Sequence, residues 1–242
     1  MTHLVRAELL KLRTTRLVAW LALLLLGLEV LVISLDVSQD SVASLAEPRR
    51  QRDVVSIAAV AGLMALILGI VAAAGEWAHG TIAHTLLAAP WRPRVAGAKI
   101  VAVAIAGAGL AVLGGAFAWA YAMLLLSARS VPLHPDAGLR LLLACVLAAA
   151  LTGAMGVGLG LLLRRQTAAV VVALIWLLVA EPLLAIAGVQ KYAPGHVVAA
   201  VVEAGSQSSE LLGFGAGLAL ALLYAAGFAT LGTTALSRTD IT

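Results

Sequence analysis

The chain has few of the charged residues that cover soluble proteins. Only 12% of its 242 residues are charged and 62% are hydrophobic, whereas soluble domains have about 25% charged and about 45–50% apolar residues. This departure indicates a membrane protein. The net charge of +4 is small, so the composition does not point to nucleic acid as a partner.

Residues and motifs for catalysis and metal binding are also scarce. The single cysteine, Cys145, lies in an apolar run. One cysteine alone excludes an internal disulfide and a cysteine-based metal site. We interpret Cys145 as a small buried apolar residue. The patterns HExxH, GxSxG and GxxxxGK followed by Ser or Thr are missing. His79 and His84 do not share a helical face as zinc ligands would. We expect no catalytic residue, no metal site and no nucleotide-binding site in this chain.

Six apolar runs are present, each long enough for a bilayer core, which takes about 20 residues. They lie at about residues 17–35, 54–74, 100–127, 139–163, 167–188 and 211–236. We predict an all-α membrane protein with one domain over residues 1–242.

A basic amphipathic segment, residues 3–16, precedes the first run. We predict an interfacial helix with Val5, Leu9 and Leu12 on its apolar face and with Glu8 and Lys11 on the opposite side. The alternative is a basic flank that only orients the first span.

The distribution of lysine and arginine predicts the orientation. Six spans place both termini on one side, which carries ten of these residues against six on the other side. Because cytoplasmic loops carry the excess of positive charge, we predict cytoplasmic termini. The basic residues between Arg49 and Arg52 fall on the other side and reduce the margin.

The longest polar interruption on the cytoplasmic side is GEWAHGTIAHTLLAAPWRPRVAGAK, residues 75–99. Gly80 can end one helix in a left-handed cap, and the Thr81 hydroxyl can cap the next. We predict a short helix, Ile82–Ala88, that stops before Pro90.

The apolar face of this short helix has no obvious covering partner in the sequence. Ile82 and Leu86 share that face, which favours docking in a groove of another protein. The alternative is a helical loop on the membrane surface, anchored by Trp77 and Trp91.

Glu29 and Glu181 are the only acidic residues within the spans. A charge at the bilayer centre costs about 2.5–3.5 kcal/mol on insertion scales, so both should face protein or water. They either belong to a substrate path, together with Pro182, or are paired or protonated carboxyls between helices. Pro182 lacks an amide donor, and we predict that it breaks the fifth span.

Two GxxxG pairs predict close helix packing without showing which helices meet. They are Gly156 with Gly160 and Gly213 with Gly217.

Three segments carry a family resemblance: LVRAELLKLRTTR at residues 4–16, the segment at 75–99, and the ending SRTDIT. With the order and spacing of the six spans, they resemble permease subunits of ATP-binding-cassette (ABC) transporters, in the short bacterial form of the type-2 exporter family. The resemblance implies an elbow helix at 5–15, a cytoplasmic coupling region at 81–89 and a re-entrant part at 181–206. It also implies a bacterial plasma (inner) membrane, surrounding lipid, a second permease subunit in a homodimer or heterodimer, and a separate ATPase that holds ATP and Mg.

The resemblance implies an exporter permease that forms the substrate pathway and leaves ATP hydrolysis to its partner. A non-transporting membrane anchor or sensor subunit and an intramembrane enzyme are the alternatives. Ala78 stands where relatives carry a polar residue, so no salt bridge is implied at that position. The aliphatic outer halves of the spans favour a lipid-like or amphipathic cargo. The residues assigned to ATPase coupling are Glu76, Trp77, His79, Thr81, Ile82, Leu86, Leu87 and Arg92.

Overall fold

The computed structural model describes residues 1–131, 138–203 and 211–238, and the regular secondary structure of those residues is entirely helical. In chain order the helices are α1 (Thr2–Thr14), α2 (Leu17–Gln39), α3 (Val42–Leu45), α4 (Pro48–Ser56), α5 (Val60–Ala78), α6 (Ile82–Ala88), α7 (Arg92–Ala128), α8 (Gly138–Leu163), α9 (Gln166–Ile175), α10 (Glu181–Ile186), α11 (Pro194–Val202) and α12 (Phe214–Ser237).

Six helical segments of the described chain are long and apolar enough to cross a membrane. We number them spans 1 to 6. They are α2, Pro48–Ala78 (α4 to α5), α7, α8, Gln166–Ile186 (α9 to α10) and α12. The predicted all-α architecture with six spans is confirmed at this level.

Span 3 begins earlier than the sequence predicted. α7 starts at Arg92 rather than near Ile100 and has 37 residues, or about 55 Å of helix. Pro93 favours this start, because proline fits the first turn of a helix, where its missing N–H is not needed. Its first two turns therefore extend the span beyond the apolar run and carry Arg92, Arg94 and Lys99, which the sequence pattern places in a loop.

The end of the helix bundle at which the chain begins is here called the terminal end. Contacts between residues far apart in sequence show which helices meet there. Lys11 of α1 bonds to Glu76 at the end of α5. Arg92 at the start of α7 bonds to Leu236 at the end of α12. The terminal end therefore holds α1, α6 and the last turn of α12, while α3 lies at the opposite end.

Glycines bring the central helices close together. Gly156 and Gly160 of α8 lie against the backbone of Leu66 and Ile70 in α5, where an added Cβ would overlap. Their GxxxG therefore marks the crossing of spans 2 and 4, as close packing predicts. In the second pair only Gly217 makes a close contact, with α11, because no described residue lies within 4 Å of a Cβ placed at Gly213.

The opposite end of the bundle contains a group of ion pairs, which a count of basic residues in the sequence does not show. Arg50 donates to Asp36 at 2.6 Å and to Asp40 at 2.5 Å. Arg129 Nη1 donates to Val37 O at 2.7 Å, which satisfies a carbonyl at the C-terminal end of α2. Arg50 lies among the basic residues that reduce the margin of the predicted orientation, and its charge is neutralised here by two carboxylates.

Pro182 does not break span 5, contrary to the prediction. The helix continues from α9 through a π-helical turn, Trp176–Ala180, into α10 and ends only at Ile186. In that turn the Glu181 N–H bonds to Trp176 O, five residues back. The wider turn lies directly before the proline, where an α-helix would suffer a clash and a missing donor. The reversal comes later, at Gly188, whose φ is +68°.

The segment predicted to re-enter, 181–206, holds α10, a 3-10 turn (Gln190–Tyr192) and α11. α11 packs against α8 and α12. Residues 204–206 lie outside the described part of the chain, as do residues 239–242 of the ending quoted above.

Candidate functional site

The short helix α6 lies in the turn between spans 2 and 3, with the predicted bounds. Gly80 has a φ of +66°, a left-handed conformation that glycine adopts without steric cost. The helix ends before Pro90, because the residue preceding a proline avoids the helical region. Local sequence signals therefore suffice to place this helix.

Thr81 does not cap α6 as predicted. Its side chain makes no capping bond there, and its N–H donates to Glu76 O at 2.9 Å, while the Gly80 N–H donates to Trp77 O. These two bonds form the closure that follows a helix ending in a left-handed glycine. Thr81 therefore completes the end of α5.

The apolar face of α6 is covered by its own chain, which corrects the predicted docking mode. Ile82 is 6% exposed and Leu86 is 7% exposed, and both belong to the hydrophobic cluster that contains Leu12 of α1 and Val95 of α7. Leu87 is 83% exposed. The sequence could not show this cover, because α1 lies about 70 residues earlier in the chain. Only Leu87 among the three residues remains available to a partner.

Beneath α6 lies a group of four charged residues, Glu8, Lys11, Glu76 and Lys99, which we call the charge cluster. Lys99 is 2% exposed. Its Nζ donates to Glu8 Oε2 at 2.6 Å, to Glu76 Oε1 at 3.1 Å and to Ala72 O at 3.1 Å. All three ammonium protons are therefore used, so this buried charge is both paired and hydrogen-bonded.

Lys11 extends the charge cluster to α6. Its Nζ donates to Glu8 Oε1 at 2.7 Å, to Glu76 Oε1 at 2.8 Å and to Thr85 Oγ1 at 3.2 Å. The cluster thus joins α1, the end of span 2, α6 and the start of span 3. Two positive and two negative side chains make it neutral as a whole.

Ion pairing favours the ionised forms of Glu8 and Lys11. Burial by itself raises the pKa of Glu8, but the charges and hydrogen bonds of Lys99 and Lys11 outweigh it, and the pKa lies below its ordinary value. Burial likewise lowers the pKa of Lys11, but the hydrogen bonds and charges of Glu76 and Glu8 bring it above its ordinary value. The pairing therefore outweighs the cost of desolvation at both residues.

Of the four members of the charge cluster, only Glu76 is among the residues that the sequence indicates for coupling. Glu8 was assigned to the side of α1 away from the bilayer, yet it is 6% exposed and shares the inward face with Leu12. Lys99 enters the sequence prediction only as a basic residue of the loop between spans 2 and 3. One signal was present: Glu76 follows the second apolar run and Lys99 precedes the third, so antiparallel spans would bring them to the same level.

The other residues assigned to coupling have separate partners. Arg92 Nη1 donates to Leu236 O at 3.0 Å and to Ser237 O at 2.9 Å, which satisfies the last carbonyls of α12. The guanidinium of Arg164 lies over the Trp77 ring, 5.2 Å from its centroid. His79 is exposed, and its Nδ1 lies 2.8 Å from Gly75 O.

Glu29 and Glu181 lie against different helices and do not form one site. Glu29 is fully buried, and neither of its carboxylate oxygens has a hydrogen-bond partner among the described residues. It packs against Gly114 of α7. This position inside the bundle does not open onto a substrate path in this conformation.

Glu181 holds α11 against the end of span 5. Its Oε1 accepts from Gly195 N–H at 2.7 Å and from Trp176 Nε1 at 2.9 Å, and its Oε2 lies 3.2 Å from His196 Nδ1. A carboxylate at the first turn of α11 also complements the positive end of that helix. Of the two interpretations made from sequence, the paired carboxyl describes Glu181.

A large apolar cavity lies between spans 2, 4, 5 and 6 and α11. Its volume is about 670 Å³, within the range of roughly 300–1,000 Å³ typical of small-molecule sites. Neither Glu29 nor Glu181 lines it. Its walls include Leu63 of span 2, Met155 of span 4, Trp176 of span 5, Val198 of α11, and Tyr224 and Phe228 of span 6.

No protein-family model matches the chain, and no curated protein matches it. The resemblance to exporter permeases therefore rests on the sequence segments quoted above and on the order of the spans.

Proposed function

We propose that this chain is the permease subunit of an ATP-driven exporter of the ABC class and that α6 is its coupling helix to a separate ATPase subunit. The observation that carries the proposal is the attachment of α6 to spans 2 and 3. Ile82 and Leu86 bury its inner face, and Thr85 bonds to Lys11 of the charge cluster. A helix tied to its bundle in this way can transmit a displacement.

The proposed mechanism uses rigid elements and a two-state bundle. ATP binding brings two ATPase subunits together, and each carries the α6 that is docked on it. Because Lys99 and Glu76 join the start of span 3 to the end of span 2, both spans move with α6. Two permease subunits then change between inward and outward access as a two-state assembly. ATP and Mg bind to the ATPase subunits.

The surface that α6 offers to a partner is small and mixed. Leu87 and Trp91 are 83% and 64% exposed, and the Arg94 guanidinium lies over the Trp91 ring, 4.5 Å from its centroid. His84 is also exposed. An exposed leucine beside an aromatic and an arginine suits the centre of a protein interface, where aromatic residues and arginine are enriched.

Leu87→Asp tests the docking role. Burial of a leucine contributes roughly 1.5–3 kcal/mol, and an aspartate would place an unpaired charge in the ATPase groove. We expect normal insertion and folding of the variant, with loss of the ATPase when both chains are purified together, and loss of ATP-dependent transport. The experiment uses an ABC ATPase encoded beside this chain, and the absence of such a neighbour would count against the proposal.

Two variants control this experiment. Val42→Asp changes a residue that is 56% exposed on α3, at the opposite end, and should leave ATPase binding unchanged. Leu86→Asp alters a buried residue and should lower stability as well as binding. An ATPase that stays fully bound to Leu87→Asp would reduce α6 to a surface loop.

We further propose a bacterial plasma membrane location with both termini cytoplasmic, supported by the ten-to-six distribution of basic residues. In a Cys145→Ala background, a cysteine at exposed Ser130 should react with a membrane-impermeant thiol reagent in intact cells. A cysteine at His79 should react only after lysis. The reverse pattern would overturn the orientation.

A further inference from the structure

Glu29 is a carboxyl group without a partner in the interior of span 1. It lies 12 residues after Leu17, about 18 Å along the helix, and it is 0% exposed. Neither Oε1 nor Oε2 has a hydrogen-bond partner among the described residues. An ionised carboxylate in such a place is costly, because nothing replaces the water that it has lost.

The space around Glu29 is too tight and too apolar for a bound metal cation. Its Oε1 lies 2.6 Å from the point where a Cβ of Gly114 would stand, and Leu25 closes the same contact. Backbone carbonyls of α2 and α7 are bonded within their helices. Hard cations require about six or more oxygen ligands, and no group of three or more His, Cys, Asp or Glu side chains suited to a metal occurs in the described residues.

We propose that Glu29 is a proton-binding site whose protonated form holds α2 against α7. When the two helices separate and water reaches the side chain, the carboxyl releases its proton to that water. The proton therefore favours the packed arrangement of spans 1 and 3, and its release favours the separated one. This role needs only the bundle and does not depend on the proposed ATPase partner.

The titratable groups of the neighbouring helices do not replace the proton. The Cys145 thiol of α8 is buried and can bring no positive charge. Tyr121 of α7 is bonded to Ser34 of α2 at 2.8 Å. Arg50 of α4 is paired with Asp36 and Asp40, and Lys11 belongs to the charge cluster.

Infrared spectroscopy in an ester-free detergent tests the proposal directly. A protonated carboxyl has a C=O stretch separate from the bands of carboxylates and of the amide backbone. Exposed acidic residues are ionised at neutral pH, so we expect a protonated-carboxyl band at pH 7 that Glu29→Gln removes. Glu181→Gln should leave the band in place, since the Glu181 carboxylate accepts hydrogen bonds from Trp176 Nε1 and Gly195 N–H.

A second variant shows whether loss of the band reflects misfolding, and the pH dependence of unfolding shows whether the proton is linked to helix packing. Glu29→Asp keeps a carboxyl in the pocket and should keep the band at a shifted frequency. The unfolding temperature of the wild type should fall relative to that of Glu29→Gln as the pH rises above about 4.3, where a glutamate of the unfolded chain ionises, and should level off once the pH exceeds the midpoint of the band's titration. Absence of the band from the wild type at pH 7, or its persistence in Glu29→Gln, would overturn the proposal.

Discussion

Replacement of Lys99 by methionine tests the charge cluster most directly. The change keeps an unbranched side chain that is one atom shorter and removes its charge, so Glu8 and Glu76 would face each other with only Lys11 between them. Lys99 is 2% exposed, and solvent would screen the remaining charges only weakly. Removal of one partner from a buried ion pair costs about 3–5 kcal/mol. We expect a loss of stability of this size.

The measurement is thermal unfolding of the detergent-solubilised chain, followed by circular dichroism of the helices. At about 2–4 °C per kcal/mol for a chain of this length, the midpoint should fall by about 6–20 °C. Lys191→Met is the matched control, because Lys191 lies outside the charge cluster and contacts the Tyr192 ring at 5.3 Å. Such a cation–π contact contributes only about 0.5–1 kcal/mol at an exposed site.

The double variant Lys99→Met with Glu8→Gln separates charge from packing. It leaves the 2.8 Å pair of Lys11 with Glu76 and restores neutrality. Because a buried pair replaced as a whole is often nearly neutral in stability, the double variant should be more stable than Lys99→Met alone. Equal midpoints for Lys99→Met and Lys191→Met, or a double variant less stable than the single one, would refute this account of the cluster.

Two further predictions concern the pH dependence of stability and the contact between Glu181 and α11. The pKa of Glu8 lies below its ordinary value and that of Lys11 above its own, so the stability from the cluster should be present between about pH 5 and about pH 10. It should be lost as the pH falls through the folded pKa of Glu8 or rises through that of Lys11, and a midpoint that drifts steadily between those limits would contradict this. Gly195→Ala should detach α11, because a Cβ there overlaps the Glu181 carboxylate; faster amide hydrogen exchange confined to α11 is the expected result, and unchanged exchange would show that the overlap is relieved without loss of the contact.

The helical elements were largely predictable from the sequence. A bilayer requires about 20 apolar residues in each span, and six such runs are visible in the sequence. The bounds of α6 also follow from local signals, since Gly80 and Pro90 restrict the backbone irrespective of the rest of the fold. Span 5 shows the limit of such signals. Pro182 indicated a break, but a π-helical turn before it lets the helix continue to Ile186.

The partners of the candidate site depended on tertiary structure. Glu8 and Lys99 are 91 residues apart in sequence, and Lys11 and Glu76 are 65 apart. Neither helical periodicity nor hydropathy contains information on such distances, because both describe one element at a time. The same reason explains why the covered face of α6 looked free and why Arg92, which bonds to Leu236, looked like a residue for a partner. The six apolar runs and the short helix α6 therefore follow from local sequence, whereas packing between distant helices sets which charges are buried together and which side chains remain on the surface.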